Sequence, residues 1–116
     1  MDIKEQIQIY LENEEILYKE WYKKQIEHDT GELAEVVGGL DDIKKWGTNW
    51  VKNHKLALQQ NICPKIPTIK KLKTRIEMIM AVFKLVRNLA FVGAAVEVAT
   101  HLVMYGLEKL CGIDET

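Results

Sequence analysis

The sequence predicts an all-α protein, a helical hairpin or bundle with a long apolar C-terminal helix, its core completed by oligomerisation. Three observations carry that prediction. Apolar residues recur at spacings of three, four and seven through most of the chain, as one buried face of a helix requires. Alternating apolar and polar runs of β-branched residues, the mark of strands, are missing. The last third is apolar around its whole circumference rather than along one stripe, so something must surround it. At 116 residues the chain suits one helical domain spanning 1–116, large enough for a core and too small for two.

The first element is an acidic helix over 3–27, with Ile3, Ile7, Tyr10, Leu17 and Trp21 on one face. Asp29, Thr30 and Gly31 interrupt it, and Asp29 with Glu32 forms the pattern of a capping box for a short helix over 32–37. Gly38 and Gly39 end that piece. A basic helix over 41–60 follows, N-capped by Asp41 or Asp42 and presenting Ile43, Trp46, Trp50, Ala57 and Leu58. Pro64 and Pro67 make 61–67 an extended linker, with Thr68 placed to cap the next helix.

That last helix is expected over 68–111, broken in pattern only by Gly93 and Gly106. Uninterrupted, it would be roughly 60 to 65 Å long at 1.5 Å per residue, against a radius of gyration of about 13 Å for a compact domain. It must therefore kink, assemble or enter lipid, and glycine loosens a helix at Gly93. Its first half keeps one stripe, with Leu72, Ile76, Ile79, Phe83, Val86 and Ala90 inward. From Leu89 to Leu107 it is apolar all round, and two amphipathic helices offer too little apolar surface to wrap it. Self-association is expected there, through Phe83, Phe91, Gly93, Ala95, Val96, Ala99, Leu102 and Met104.

Lipid is the competing cover. Leu89 to Leu107 is near the length of a membrane span, and the basic stretch upstream would keep the N-terminus in the cytoplasm. Glu97 opposes this, because an acid at the bilayer centre costs roughly 2.5 to 3.5 kcal/mol. An oligomer that hides Glu97 would lessen the cost.

Charge is strongly segregated. Residues 1–42 hold twelve acids and four bases, whereas 43–76 hold nine Lys or Arg and no acid. The whole chain returns to a formal charge of −1. Lys44, Lys45, Lys52, Lys55, Lys70, Lys71, Lys73 and Arg75 form a basic patch that could meet phosphates, with Trp46 or Trp50 for stacking. Against nucleic acid stand the presence of only two arginines and the helical spacing of the tryptophans, which favours burial. The acidic N-terminal helix is the alternative counterpart, within one chain or between neighbours.

Glu97 and His101 are four apart and share a helix face. They are expected to pair with each other or with a neighbour, forming a polar interface or ligand contact. His28 and His54 bear no spacing relation to them, so no metal and no cofactor is expected. Phosphate-cradling glycine motifs, a G-x-S-x-G elbow and H-E-x-x-H are missing, and a non-enzyme is expected. Cys63 and Cys111 lie far apart without metal-ligand or redox spacing, so unpaired thiols in a reducing compartment are expected. The chain opens on Met1, Asp2 and Lys4 without a leader pattern, consistent with the cytoplasm.

The function expected from these residues is that of a non-enzymatic, homo-oligomeric helical assembly or binding protein. It would engage a protein or a small ligand through its C-terminal helix. A single-span oligomeric membrane protein, acting as a small pore or anchor, is the alternative. A nucleic-acid binder using 43–76 is the second alternative.

Overall fold

A computed structural model of the chain describes residues 2–36 and 38–112. The fold is all-helical, with no strand among the described residues. Helix α1 (Ile3–Glu12) is N-capped by Asp2, whose carboxylate accepts the Glu5 N–H at 2.9 Å. The expected helix over 3–27 is divided at Asn13, which adopts an extended backbone. Asn13 caps α2 (Glu14–Thr30) by accepting the Ile16 N–H at 3.2 Å. A residue whose side chain can take an orphan N–H favours a helix start over a helix interior.

Helix α2 runs through Asp29 to Thr30 and ends at Gly31 in the left-handed conformation, φ 73°. Asp29 is thereby used inside α2, where it accepts a hydrogen bond from Gln25, and the capping box expected with Glu32 does not form. Residues 32–36 of the expected 32–37 helix are irregular and Val37 lies outside the described residues. The basic helix over 41–60 is instead α3 (Leu40–Asn53) and α4 (Lys55–Ile62), jointed at His54. There Nδ1 of His54 lies 2.8 Å from the Trp50 carbonyl.

The expected extended linker over 61–67 is helical. Cys63–Lys65 forms a 3₁₀ turn and Ile66–Lys70 forms α5, each with its proline in the first turn. A proline there loses no intrahelical hydrogen bond, so Pro64 and Pro67 start turns rather than break them.

The long helix over 68–111 is broken twice. Thr74 and Glu77 form a reciprocal capping box that starts α6 (Arg75–Val86), and 87–94 is non-helical. The C-terminal helix is 17 residues long, comprising α7 (Ala95–His101), a π-helical turn (Leu102–Gly106) and α8 (Leu107–Cys111). No helix of the described residues is long and apolar enough to cross a membrane.

The break near Gly93 comes from close packing against α2. A Cβ on Gly93 would lie 2.3 Å from Cβ of His28 and 3.2 Å from the Lys24 carbonyl. Gln25, fully buried, pins the same loop by donating to the Phe91 carbonyl and accepting the Gly93 N–H, both at 2.9 Å. The chain consequently folds back, with a radius of gyration of 13.7 Å and a longest dimension of 40 Å.

Helix α7 occupies the centre and packs on α1, α2 and α6. Its Glu97, Val98, Ala99, Thr100 and His101 are all buried. The chain itself encloses Val96 to Leu102, the middle of the Leu89–Leu107 segment expected to need neighbours or lipid, while Ala90 and Tyr105 towards its ends are exposed. Trp21 anchors the opposite side, its ring centroid 5.5 Å from Trp46, 5.7 Å from Trp50 and 5.0 Å from His101. Such edge and tilted contacts add to the large apolar area each ring buries. A Cβ at Gly47 would come within 2.8 Å of Trp21, so this glycine sets how closely α3 approaches α2.

Cys63 and Cys111 form a disulfide with Cα atoms 5.4 Å apart, which corrects the expectation of free thiols. Their 48-residue separation hid the pairing, because two helical breaks return the C-terminus to the α4 end. The bridge ties the last turn of α8 to the 3₁₀ turn.

Candidate functional site

Helix α7 carries two polar side chains into the core. Oε2 of Glu97 accepts hydrogen bonds from the Tyr10 hydroxyl and from Nζ of Lys24, the latter at 2.6 Å. Glu97 is 1 % exposed while the Lys24 side chain is 37 % exposed, so Lys24 reaches in from the surface along α2. Burial, followed by the Glu97 charge, pushes the Tyr10 phenol well above its ordinary pKa, and it stays a donor.

One turn later His101 finds a different partner, with Nδ1 2.8 Å from the Tyr18 hydroxyl. Burial, and then the Lys44 charge, lowers its pKa to about 4, so the ring is neutral at physiological pH. Burial likewise raises the Tyr18 phenol, with further contributions from Tyr105 and Glu14. Glu97 and His101 each take a partner from α1 or α2. Both contacts lie within one chain.

Three of the eight residues expected to self-associate are buried within the chain. Val96, Ala99 and Leu102 are buried, while Phe83, Phe91, Gly93, Ala95 and Met104 are half-buried. Phe91 stacks on His54, with centroids 4.6 Å apart and planes 4° from parallel. The tryptophans expected for stacking are also engaged: Trp50 packs on Trp21, His54 and Phe91, and Trp46 packs on Trp21 and Tyr22.

The basic residues disperse. Lys44 pairs with Glu14 and lies over the rings of Tyr18 and Tyr105, at 5.7 and 5.9 Å. The hydrogen bond to Glu14 raises its pKa. Lys45 borders a shallow hollow with Asp41 and Asn49. Lys70 lies 3.8 Å from Glu108. Lys71, Lys73 and Arg75 are exposed around the turn that leads into α6.

Lys52 and Lys55 instead meet Lys109 across a groove of about 330 Å³ between α3, α4 and the C-terminal helix. Its apolar lining is Val51, Leu102 and Leu110, and its polar lining includes Thr48, His101 and Tyr105. No carboxylate lines it, and none of the three lysines is ion-paired among the described residues. The π turn Leu102–Gly106 supplies one wall. Such turns interrupt the α-helical hydrogen-bond ladder and occur often at functional sites.

Helical periodicity places Tyr10 on the buried stripe, with Tyr18 one position beyond Leu17 widening it, without revealing the partner of either. Lys24, Tyr105 and Lys109 carried no signal, because their roles depend on helix crossings and on the π turn, and neither has a sequence period. An all-helical chain with a basic groove beside a π turn is the class these observations define. No family model matches the sequence, and neither a curated protein nor a solved structure matches it.

Proposed function

We propose that the chain is a non-catalytic binding protein whose C-terminal helix forms one wall of a groove for an organic anion. The ligand would combine an apolar body with a carboxylate, sulfonate or phosphate head. One observation carries this proposal: Lys52, Lys55 and Lys109 line an apolar groove that has no carboxylate in its lining among the described residues. The groove's volume of about 330 Å³ falls at the lower end of the range for small-molecule sites. Three ammonium groups at the mouth supply attraction and orientation, and Val51, Leu102 and Leu110 supply the contact area. His101 takes part as a neutral ring rather than as a fourth cation, since burial lowers its pKa to about 4.

The Cys63–Cys111 bridge supports an oxidising compartment in place of the cytoplasm. It holds α8, and with it Lys109 and Leu110, against α4.

Fluorescence titration with 8-anilinonaphthalene-1-sulfonate tests the assignment. Saturable one-to-one binding that weakens with added salt is expected, and Lys52→Glu/Lys55→Glu/Lys109→Glu should weaken it by about tenfold or more, about 1.4 kcal/mol. Absence of saturable binding, or equal affinity in the triple variant, refutes the assignment.

A further inference from the structure

The groove beside the π turn has two unlike ends. Gln59 donates to the Leu110 carbonyl at 2.7 Å, and Cys63 is bonded to Cys111, so α8 lies beside the end of α4. Further back, His101 packs on Trp21, which itself contacts Trp46 and Trp50 of α3, and Lys44 lies over Tyr105. The C-terminal helix therefore runs alongside α3 and α4 in the same sense. Within the lining, Thr48 and His101 belong to the α3 end, and Lys55 and Lys109 to the α4 end. His101 and Lys109 are eight residues apart, about 10 to 12 Å along a helix.

The α3 end holds a hydrogen-bond donor. His101 is 8 % exposed, and it is in the lining of this groove that its ring meets open space. Its Nδ1 is 2.8 Å from the Tyr18 hydroxyl. Tyr18 is buried, its phenol is kept protonated by burial, and its hydroxyl has no other partner among the described residues. A buried hydroxyl left without an acceptor is costly, so Tyr18 donates to Nδ1. The one proton of the neutral ring is then on Nε2. Nε2–H has no acceptor among the described residues, and it is not sealed in as the partnerless Nε1 of Trp21 is.

We infer that His101 determines specificity in this groove, its Nε2–H donating to a neutral oxygen at the end of the ligand opposite the anionic head. The ligand class is a chain-like organic anion with a hydroxyl or carbonyl at its far end. Its charged head meets Lys55 and Lys109, its apolar middle lies on Val51, Leu102 and Leu110, and its far oxygen reaches His101. Tyr18 is a positioning residue, acting through the tautomer it imposes on His101. This inference rests on the anion-binding reading of the groove. A site built to hydrogen-bond one oxygen discriminates against the analogue that lacks it, because its own donor is then left unpaired.

Calorimetric titration at pH 7 with decanoate and with 10-hydroxydecanoate tests it. The wild type should bind both acids and prefer the hydroxy acid by about threefold or more, within the reach of one neutral hydrogen bond. His101→Phe should still bind decanoate and lose the preference. Tyr18→Phe, which frees the tautomer, should shrink it. Nitrogen–proton correlation NMR of the wild type reads the same contact without a substitution: the free ring should carry its proton on Nε2, and that signal should move with 10-hydroxydecanoate and far less with decanoate. Equal affinity for the two acids, a preference that survives His101→Phe, or a proton on Nδ1 would each overturn the inference while leaving anion binding in place. If neither acid binds, or if Lys52→Glu/Lys55→Glu/Lys109→Glu binds both as the wild type does, the reading of the groove fails and this inference with it.

Discussion

His101 makes the stability of this fold depend on acid. The ring is 8 % exposed, lies against Trp21 and Tyr18, and has its pKa lowered to about 4 by burial and by Lys44. In the unfolded chain a histidine titrates near 6.5. The folded value is the depressed one, so above about pH 6.5 both states are neutral and the full stability is present. As pH falls from there towards 4 the unfolded state takes up a proton that the folded state refuses. Stability is lost across that window with a slope of up to about 1.4 kcal/mol per pH unit, approaching about 3 kcal/mol below it. Against a typical total of roughly 5 to 15 kcal/mol the loss is large. Urea unfolding of the wild type and of His101→Gln at pH 7, 6, 5 and 4.5 separates this contribution from that of the carboxylates, which both proteins share. The stability difference between them should move by about 2 kcal/mol from pH 7 to pH 4.5, in the direction that penalises the wild type at low pH. Parallel pH dependences, or an NMR titration placing His101 near 6.5, would refute the reasoning.

Two further outcomes follow from contacts that cross the fold. Cys63→Ser/Cys111→Ser removes a link across 48 residues, and loop closure of that length corresponds to about 4 kcal/mol. The oxidised wild type should have the higher Tm by calorimetry, and an unchanged Tm counts against the bridge. Glu97→Leu leaves the buried Tyr10 hydroxyl without its acceptor, which costs about 1 to 3 kcal/mol. Adding Tyr10→Phe should recover part of that loss in urea melts, and simple additivity of the two substitutions would rule out the coupling.

Helix content is legible in this sequence because each buried stripe repeats at the helical period, as Leu17 and Trp21 or Ile79 and Val86 show. The breaks are harder to read. Asn13 and His54 interrupt stripes without disturbing the apolar spacing, and Pro64 and Pro67 start helical turns where an extended linker is expected. The long C-terminal helix fails for a tertiary reason: Gly93 packs on His28 and Gln25 satisfies the loop backbone, and only the folded neighbour supplies those contacts. Apolar residues all round Leu89 to Leu107 do signal a surrounded segment, while the identity of the cover cannot be read from that segment alone. Glu97 and His101 stand out by being polar within it. Their partners, Tyr10, Lys24 and Tyr18, lie more than seventy residues away in the chain, and Lys109 enters its groove through the π turn.

The opposite charge blocks constrain how the chain can meet other molecules. Residues 1–42 carry an excess of eight acids and 43–76 carry nine bases without an acid, yet among the described residues one ion pair, Lys44 with Glu14, joins the two blocks. The other bridges lie within the first block or reach acids of the last third, as Lys24 does to Glu97 and Lys70 to Glu108. Folding therefore brings the blocks together without neutralising them locally, and the molecule keeps acidic and basic regions despite its small net charge. Exposed charges of this kind act within a Debye length of about 8 Å at physiological ionic strength, so they steer close encounters rather than stabilise the core. Lys52, Lys55 and Lys109 line a space sized for a small anion. Salt should therefore weaken anion binding at Lys52, Lys55 and Lys109, whereas the buried pair of Glu97 with Lys24 should respond less, because screening acts most on exposed charge.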